Sequence, residues 1–421
     1  MNVRRSAAAL AAVGVLAAAS PAVAASPSPS PSTVLPSGLY GTTDPKYDGV
    51  WRQSLALLAQ HTVSVTPAAT AVDWLAGQQC ANGAFAAFRA DPAQACDAKV
   101  MVDTNSTAAA IQALTALGGH EGTVGKGVSW LESVQNTDGG WGYSPGGASD
   151  ANSTSVVIGA LAAAGKKPTE VTKNGKSPYD ALLKLALPCS GDGAGAFAFQ
   201  PDKTGKLAAN ADATAAAVVG ALGEGLDAKA GRPGGSSGQA SGTASGTASG
   251  TGCVDAGRLT PEQAAANAAA YLARAVAKDG HLTSALPGAA AQPDYGNTAD
   301  TVVALAAQGG ADRAAKPLAW LEKNAGAWAK QSGPAAYAQL VFAAQATGTN
   351  PRDFGGTDLV KALNATGPAP QAQGGGDNSG ASDGKKSGGG SGTSVWWIVG
   401  TGLVAGIGIG FLLSGRRKRQ L

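Results

Sequence analysis

The sequence predicts an all-α fold: an (α/α)6 toroid of six inner and six outer helices, followed by a single C-terminal transmembrane helix. Three observations carry this. A Trp-Leu…Gln…Gly…aromatic element recurs along the chain. Each copy is followed by an Asp/Asn/Ser/Thr cluster that opens an alanine-rich apolar run. No stretch alternates apolar and polar residues as a half-buried strand does.

From the N-terminus, residues 1–24 read as a secretory signal peptide. Arg4 and Arg5 are its charged start, Ala7 to Ala19 its apolar stretch, and Ala22-Val23-Ala24 a small-x-small cleavage site. Residues 25–44 form a Ser/Pro linker, in which Ser26 to Ser32 alternates serine and proline and favours an extended chain.

The toroid is assigned to residues 45–366. Trp74-Leu75, Gln79, Gly83 and Phe85 recur with identical spacing as Trp130-Leu131, Gln135, Gly139 and Trp141. Tyr271-Leu272, Gly280 and Leu282 keep the frame, with Val276 in place of glutamine. The second element pairs Asp103 and Thr107 with Ala113-Leu114, and Asp150 and Thr154 with Ala160-Leu161. Asp294, Thr298 and Ala304-Leu305 fit the same frame, and Asn210, Thr214 and Ala221-Leu222 form a shifted version. Short polar residues before an apolar run are N-cap signals. Two helix series result. One, mostly small and apolar all round as buried helices are, covers about 48–61, 103–118, 150–164, 209–225, 295–308 and 334–348. The other, charged on one face, covers about 67–80, 125–136, 177–187, 260–278, 314–328 and 356–365.

Residues 231–252 interrupt the toroid with a Gly/Ser-rich insertion that repeats Ala-Ser-Gly-Thr and cannot bury a core. Residues 367–394 are a Gly/Ser-rich stalk. Residues 395–413 are 19 uncharged apolar residues, roughly 28 Å as a helix, which matches a bilayer core. Trp396 and Trp397 suit the membrane interface, and residues 414–421 form a basic cytoplasmic tail. The layout resembles a Gram-positive sorting signal without a sortase motif. It predicts an exported bacterial protein on the outer face of the cell membrane.

Composition removes one class of partner. The formal charge is +3, but Arg4, Arg5, Arg416, Arg417, Lys418 and Arg419 lie at the extreme ends. Without them 25 basic residues face 28 acidic ones, so the body is not a nucleic-acid-binding domain. Three histidines, in different repeats, predict no metal site, and no cofactor is expected. Four cysteines in an exported chain predict disulfides. Three pairings are formally open; Cys80–Cys96 with Cys189–Cys253 is favoured, the first closing a loop worth about 3 kcal/mol.

Lys126-Gly127-x2-Trp130-Leu131-x3-Gln135-x3-Gly139-x-Trp141 resembles the QW motif of the terpenoid cyclase/protein prenyltransferase toroids. The Asp-x-x-x-Thr-to-Ala-Leu element is similar to the repeat of cobalamin-binding transcobalamin-type proteins. The resemblance covers roughly residues 45–366 and implies the toroid, with the QW residues tying outer-helix ends to the following loop. The family's catalytic residues do not carry over: there is no Asp-x-Asp-Asp acid motif and no Asp, Cys and His zinc set.

The expected site is therefore a binding rim at the inner-helix N-termini, whose dipoles favour anionic or amide-rich ligands. Asp103, Asn105, Asp150, Asn152 and Asp294 stand at that rim, with Phe85, Trp141, Tyr143, Phe199 and Tyr295 on adjoining loops. Capping competes as the role of the Asp/Asn set, and a structural role as that of Trp141. Tyr143 and Tyr295 carry no evident capping or core duty. The leading expectation is a non-enzymatic, membrane-tethered protein that captures a small ligand, a corrinoid or another amphipathic metabolite, for a membrane importer. The alternatives are a terpenoid cyclase/prenyltransferase-like enzyme acting on isoprenoids, and a cell-surface protein–protein interaction module.

Overall fold

The computed structural model describes residues 35–97, 99–231, 253–255, 258–284 and 291–372. The signal peptide, the first half of the linker, nearly all of the insertion, most of the stalk, the predicted span and the tail lie outside the described residues. Among the described residues, no helix is long and apolar enough to cross a membrane.

The described chain is all-α in character. The inner series is α1 (Gly49–Thr62), α3 (Thr104–Leu117), α5 (Ala151–Ala163), α7 (Ala211–Ala221), α9 (Tyr295–Gly309) and α12 (Pro334–Thr347). Each packs on the next, and α12 returns to pack on α1, closing a ring. The outer series is α2 (Ala69–Gly77), α4 (Glu121–Ser133), α6 (Pro178–Leu183), α8 (Pro261–Ala275), α10 (Ala311–Asn324) with α11 (Gly326–Ser332), and α13 (Leu359–Asn364). Inner helices are buried on every face: α3 from Thr104 to Leu114 and α5 from Ala151 to Leu161. Alanine permits this close packing, because a small side chain lets backbones approach.

Three details differ from the sequence reading. The outer helix expected at 314–328 is two helices that meet at Ala325, next to Gly326, a poor helix former. A short antiparallel pair, β1 (Leu282–Ser284) with β2 (Gln292–Asp294), leads into α9 where no strand was expected. The ordered body also begins before residue 45: Leu39 and Tyr40, placed in the linker from composition, are core residues. The Tyr40 amide donates to Gln53 Oε1 at 2.8 Å, and its hydroxyl donates to the Pro368 carbonyl at 3.1 Å.

The repeat has a mechanical explanation. Gln79 Nε2 donates to the Gly83 carbonyl (3.0 Å) and the Thr123 carbonyl (2.8 Å); Gln135 Nε2 does the same to Gly139 (2.8 Å) and Val171 (3.1 Å). Each glutamine thus ties its own loop to the approach of the next outer layer. Gly83 and Gly139 have φ near +95°, and a Cβ on either would collide with the Lys126 or Ser177 carbonyl. Two residues on, the amides of Phe85, Trp141, Phe197 and Leu282 donate to Thr107, Thr154, Thr214 and Thr298 Oγ1, at 2.9–3.1 Å. The threonine of each Asp-x-x-x-Thr element is a fastener for the preceding loop. Both favoured disulfides are formed, Cys80–Cys96 and Cys189–Cys253.

Candidate functional site

Inner-helix N-termini are where polar side chains were expected to meet a ligand. Most of them are committed to the fold. Asp103 Oδ1 accepts from the Ser106 amide at 2.6 Å and caps α3; Asp150 caps α5 by accepting from the Ser153 amide (2.7 Å) and hydroxyl (2.9 Å). Asp294 caps α9 by accepting from the Asn297 amide (3.1 Å) and side chain (2.8 Å). Phe85 and Trp141 are fully buried, and Trp141 Nε1 donates to the Leu131 carbonyl at 2.8 Å. The Phe199 carbonyl accepts from the Ala151 amide (3.1 Å), and the Tyr143 carbonyl from the Thr104 amide (2.8 Å). Burial, then the Asp103 charge, push the Tyr143 phenol up. Tyr295 does have a packing duty, correcting the expectation: its ring lies between Trp320 and Trp328, with centroids 5.0 and 5.5 Å away. Asn105 is buried on α3. Only Asn152 among the ten expected residues lines the cavity described next.

That cavity lies at the centre of the ring, is walled by all six inner helices and opens to solvent on one side. Trp51 and Leu55 come from α1, Gln112 from α3, and Val303 and Phe342 from α9 and α12. Residues Glu224, Gly225 and Leu226, just past α7, fold against one side, where the Leu226 amide donates to Gln112 Oε1 at 2.8 Å.

Two carboxyl groups carried by the inner helices face this mostly apolar space, Asp212 on α7 and Asp300 on α9, and Glu224 adds a third beside them. Asn152 Nδ2 donates to Asp212 Oδ2 at 2.7 Å, and Gln339 Nε2 lies 3.2 and 3.3 Å from the two Asp300 oxygens, donating to them. The desolvating wall pushes Asp212 up to about 6. It pushes Asp300 up to about 8, with the neighbouring Asp212 charge adding to the effect. At neutral pH Asp300 therefore holds its proton, while Asp212 is mostly ionised. A proton donor and a carboxylate share one apolar chamber, the division of roles that acid–base chemistry requires.

Sequence reasoning missed this pair. Asp212 occupies the second helical position of α7, the position held by Asn105 in α3 and Asn152 in α5. It stands between Asn210 and Thr214, so by sequence alone it is indistinguishable from the capping cluster around it. Asp300 had its own signal, a carboxylate inside a helix where nearly everything else is small and apolar. Among the described residues no group of His, Cys, Asp and Glu is arranged to hold a metal ion.

No protein-family model matches the chain. Over 76 residues it is 38% identical to the drimenyl diphosphate synthase of Streptantibioticus cattleyicolor, a match that covers 18% of this chain and 13% of that enzyme. The chain resembles the terpenoid cyclase-type toroids in repeat and fold. Two solved structures also align. One is a protein from Actinoplanes, 19% identical, TM-score 0.41, covering 68% of this chain and 74% of its own. The other is the ent-copalyl diphosphate synthase of Streptomyces platensis, 16% identical, TM-score 0.44, covering 71% of this chain and 50% of its own. The match to a synthase overturns the leading expectation of a non-enzymatic binding protein that captures a corrinoid-like ligand.

Proposed function

We propose that the chain is a terpenoid cyclase-like enzyme that protonates an isoprenoid alkene in the central cavity. The observation that carries this reading is Asp300: a carboxyl held in its protonated form at neutral pH, facing a largely apolar space. The acid differs in placement from an Asp-x-Asp-Asp motif, because its two carboxyls come from separate inner helices.

The step is a simple one. The O–H bond of Asp300 breaks, its proton forms a C–H bond with one alkene carbon, and the other carbon becomes a cation. A weak acid gains donating power when its carboxylate is stabilised at the moment of transfer. Gln339 donates to that carboxylate. The developing cation then offsets the desolvation that penalised the lone anion. Asp212, and the π faces of Trp51 and Phe342 in the same wall, favour positive charge in the chamber. A neighbouring alkene of the same substrate attacks the cation and closes a ring. Transfer of a proton from carbon to the Asp212 carboxylate ends the sequence, and exchange of protons with solvent restores the Asp300 acid and the Asp212 carboxylate.

The test is turnover in D2O, with squalene, farnesol and farnesyl diphosphate offered and products identified by gas chromatography–mass spectrometry. A cyclised product carrying one deuteron is expected, with at least about a hundredfold less from Asp300→Asn. Undiminished cyclisation by Asp300→Asn, in a variant that still folds, defeats the assignment. Export to the cell surface belongs to the same proposal, supported by the two disulfides, which persist in oxidising compartments.

A further inference from the structure

We propose that the isoprenoid accepted by the central cavity is uncharged, a hydrocarbon or prenyl alcohol and not a prenyl diphosphate. This rests on the cyclase reading and adds the class of substrate. The wall carries three carboxylic side chains, Asp212, Glu224 and Asp300, and among the described residues lining it there is no lysine, arginine or histidine. Arg52, the cation next in sequence to a lining residue, is turned away: its guanidinium donates to the Tyr40 carbonyl (2.9 Å), to Thr43 and to Asp48. A diphosphate entering this space would meet the Asp212 and Glu224 carboxylates and no counter-charge, in surroundings where like charges are poorly screened.

The polar groups the wall does offer suit a neutral terminus. Asn152 Oδ1 and Ser155 Oγ are buried with no hydrogen-bond partner. An acceptor and a hydroxyl side by side satisfy an alcohol, which both donates and accepts. Neither compensates three or so negative charges. The wall that repels an anion also favours the carbocation that cyclisation creates, so rejection of diphosphates and support of the reaction have the same source.

Farnesol and farnesyl diphosphate share one carbon skeleton and differ only at the terminus, so they isolate this effect. Binding of each to the purified full-length chain is measured by tryptophan fluorescence, alongside turnover of each. Farnesol should bind at least about tenfold tighter, and Asp212→Asn with Asp300→Asn should narrow that gap. The wild-type comparison needs no variant to fold; melting of the double variant, followed by circular dichroism, qualifies the second reading. Tighter binding and turnover of farnesyl diphosphate, still abolished by Asp300→Asn, would overturn the inference and leave the cyclase standing. Failure of both compounds, and of squalene, to bind or react would overturn the two together.

Discussion

Asp300 interrupts an inner helix with a carboxyl, and its proton links stability to pH. Unfolded aspartates titrate near pH 3.9, whereas folding raises Asp103, Asp150 and Asp212 to about 6 and Asp300 to about 8. The folded state therefore binds more protons than the unfolded state across this interval. The resulting stabilisation is complete below about pH 4 and is lost as pH rises through about 6 and then about 8. Thermal melts should show the Tm of the wild type falling from mildly acidic to mildly alkaline pH. Asp300→Asn should flatten the upper part of that fall; an unchanged slope between about pH 6 and 8 would contradict the assignment. The caps were legible in sequence because Asp103, Asp150 and Asp294 precede apolar runs. Asp212 was not, since a carboxylate at the second position of a helix is consistent with capping until its neighbours across the ring are known.

Between helices, threonine, glutamine and glycine do the joining, and these contacts explain why the repeat is written as it is. Trp141 is fully buried and its indole N–H is satisfied, so Trp141→Ala should destabilise the fold by about 3–5 kcal/mol in urea unfolding. Thr154→Val keeps the shape but leaves the Trp141 amide without its acceptor, at a cost of about 1–3 kcal/mol in the same assay. Tyr143→Ala tests the rim against the cavity: farnesol affinity should change little, since Tyr143 does not line the cavity. Helix positions followed closely from capping and periodicity. The break at Ala325 and the β1–β2 pair did not. A three-residue strand leaves no recognisable alternation, and a single Gly326 weighs little in a run that already accommodates Pro317 within a helix.

For the whole molecule, closure of the ring was legible only as a count of twelve alternating helices; the contact of α12 with α1 lies beyond any local pattern. Cysteine spacing and the expected export pointed to the disulfides. Peptide mapping without reductant should recover Cys80 joined to Cys96 and Cys189 joined to Cys253, and any free thiol at these positions contradicts the structure. Reduction should lower the Tm, since each bridge restrains the unfolded chain by about 3–4 kcal/mol. The stitching of Tyr40 to the end of the body has a consequence of its own. The Gly41 amide donates to the Thr366 carbonyl at 2.8 Å, so the chain enters and leaves the ring at one place. A closed circuit whose ends already touch has no privileged starting point. A circular permutant that bridges residues 41 and 366 with a short glycine segment, and opens between α7 and α8, should assemble the same ring. The Cys189–Cys253 bridge would hold the new ends together across the cut.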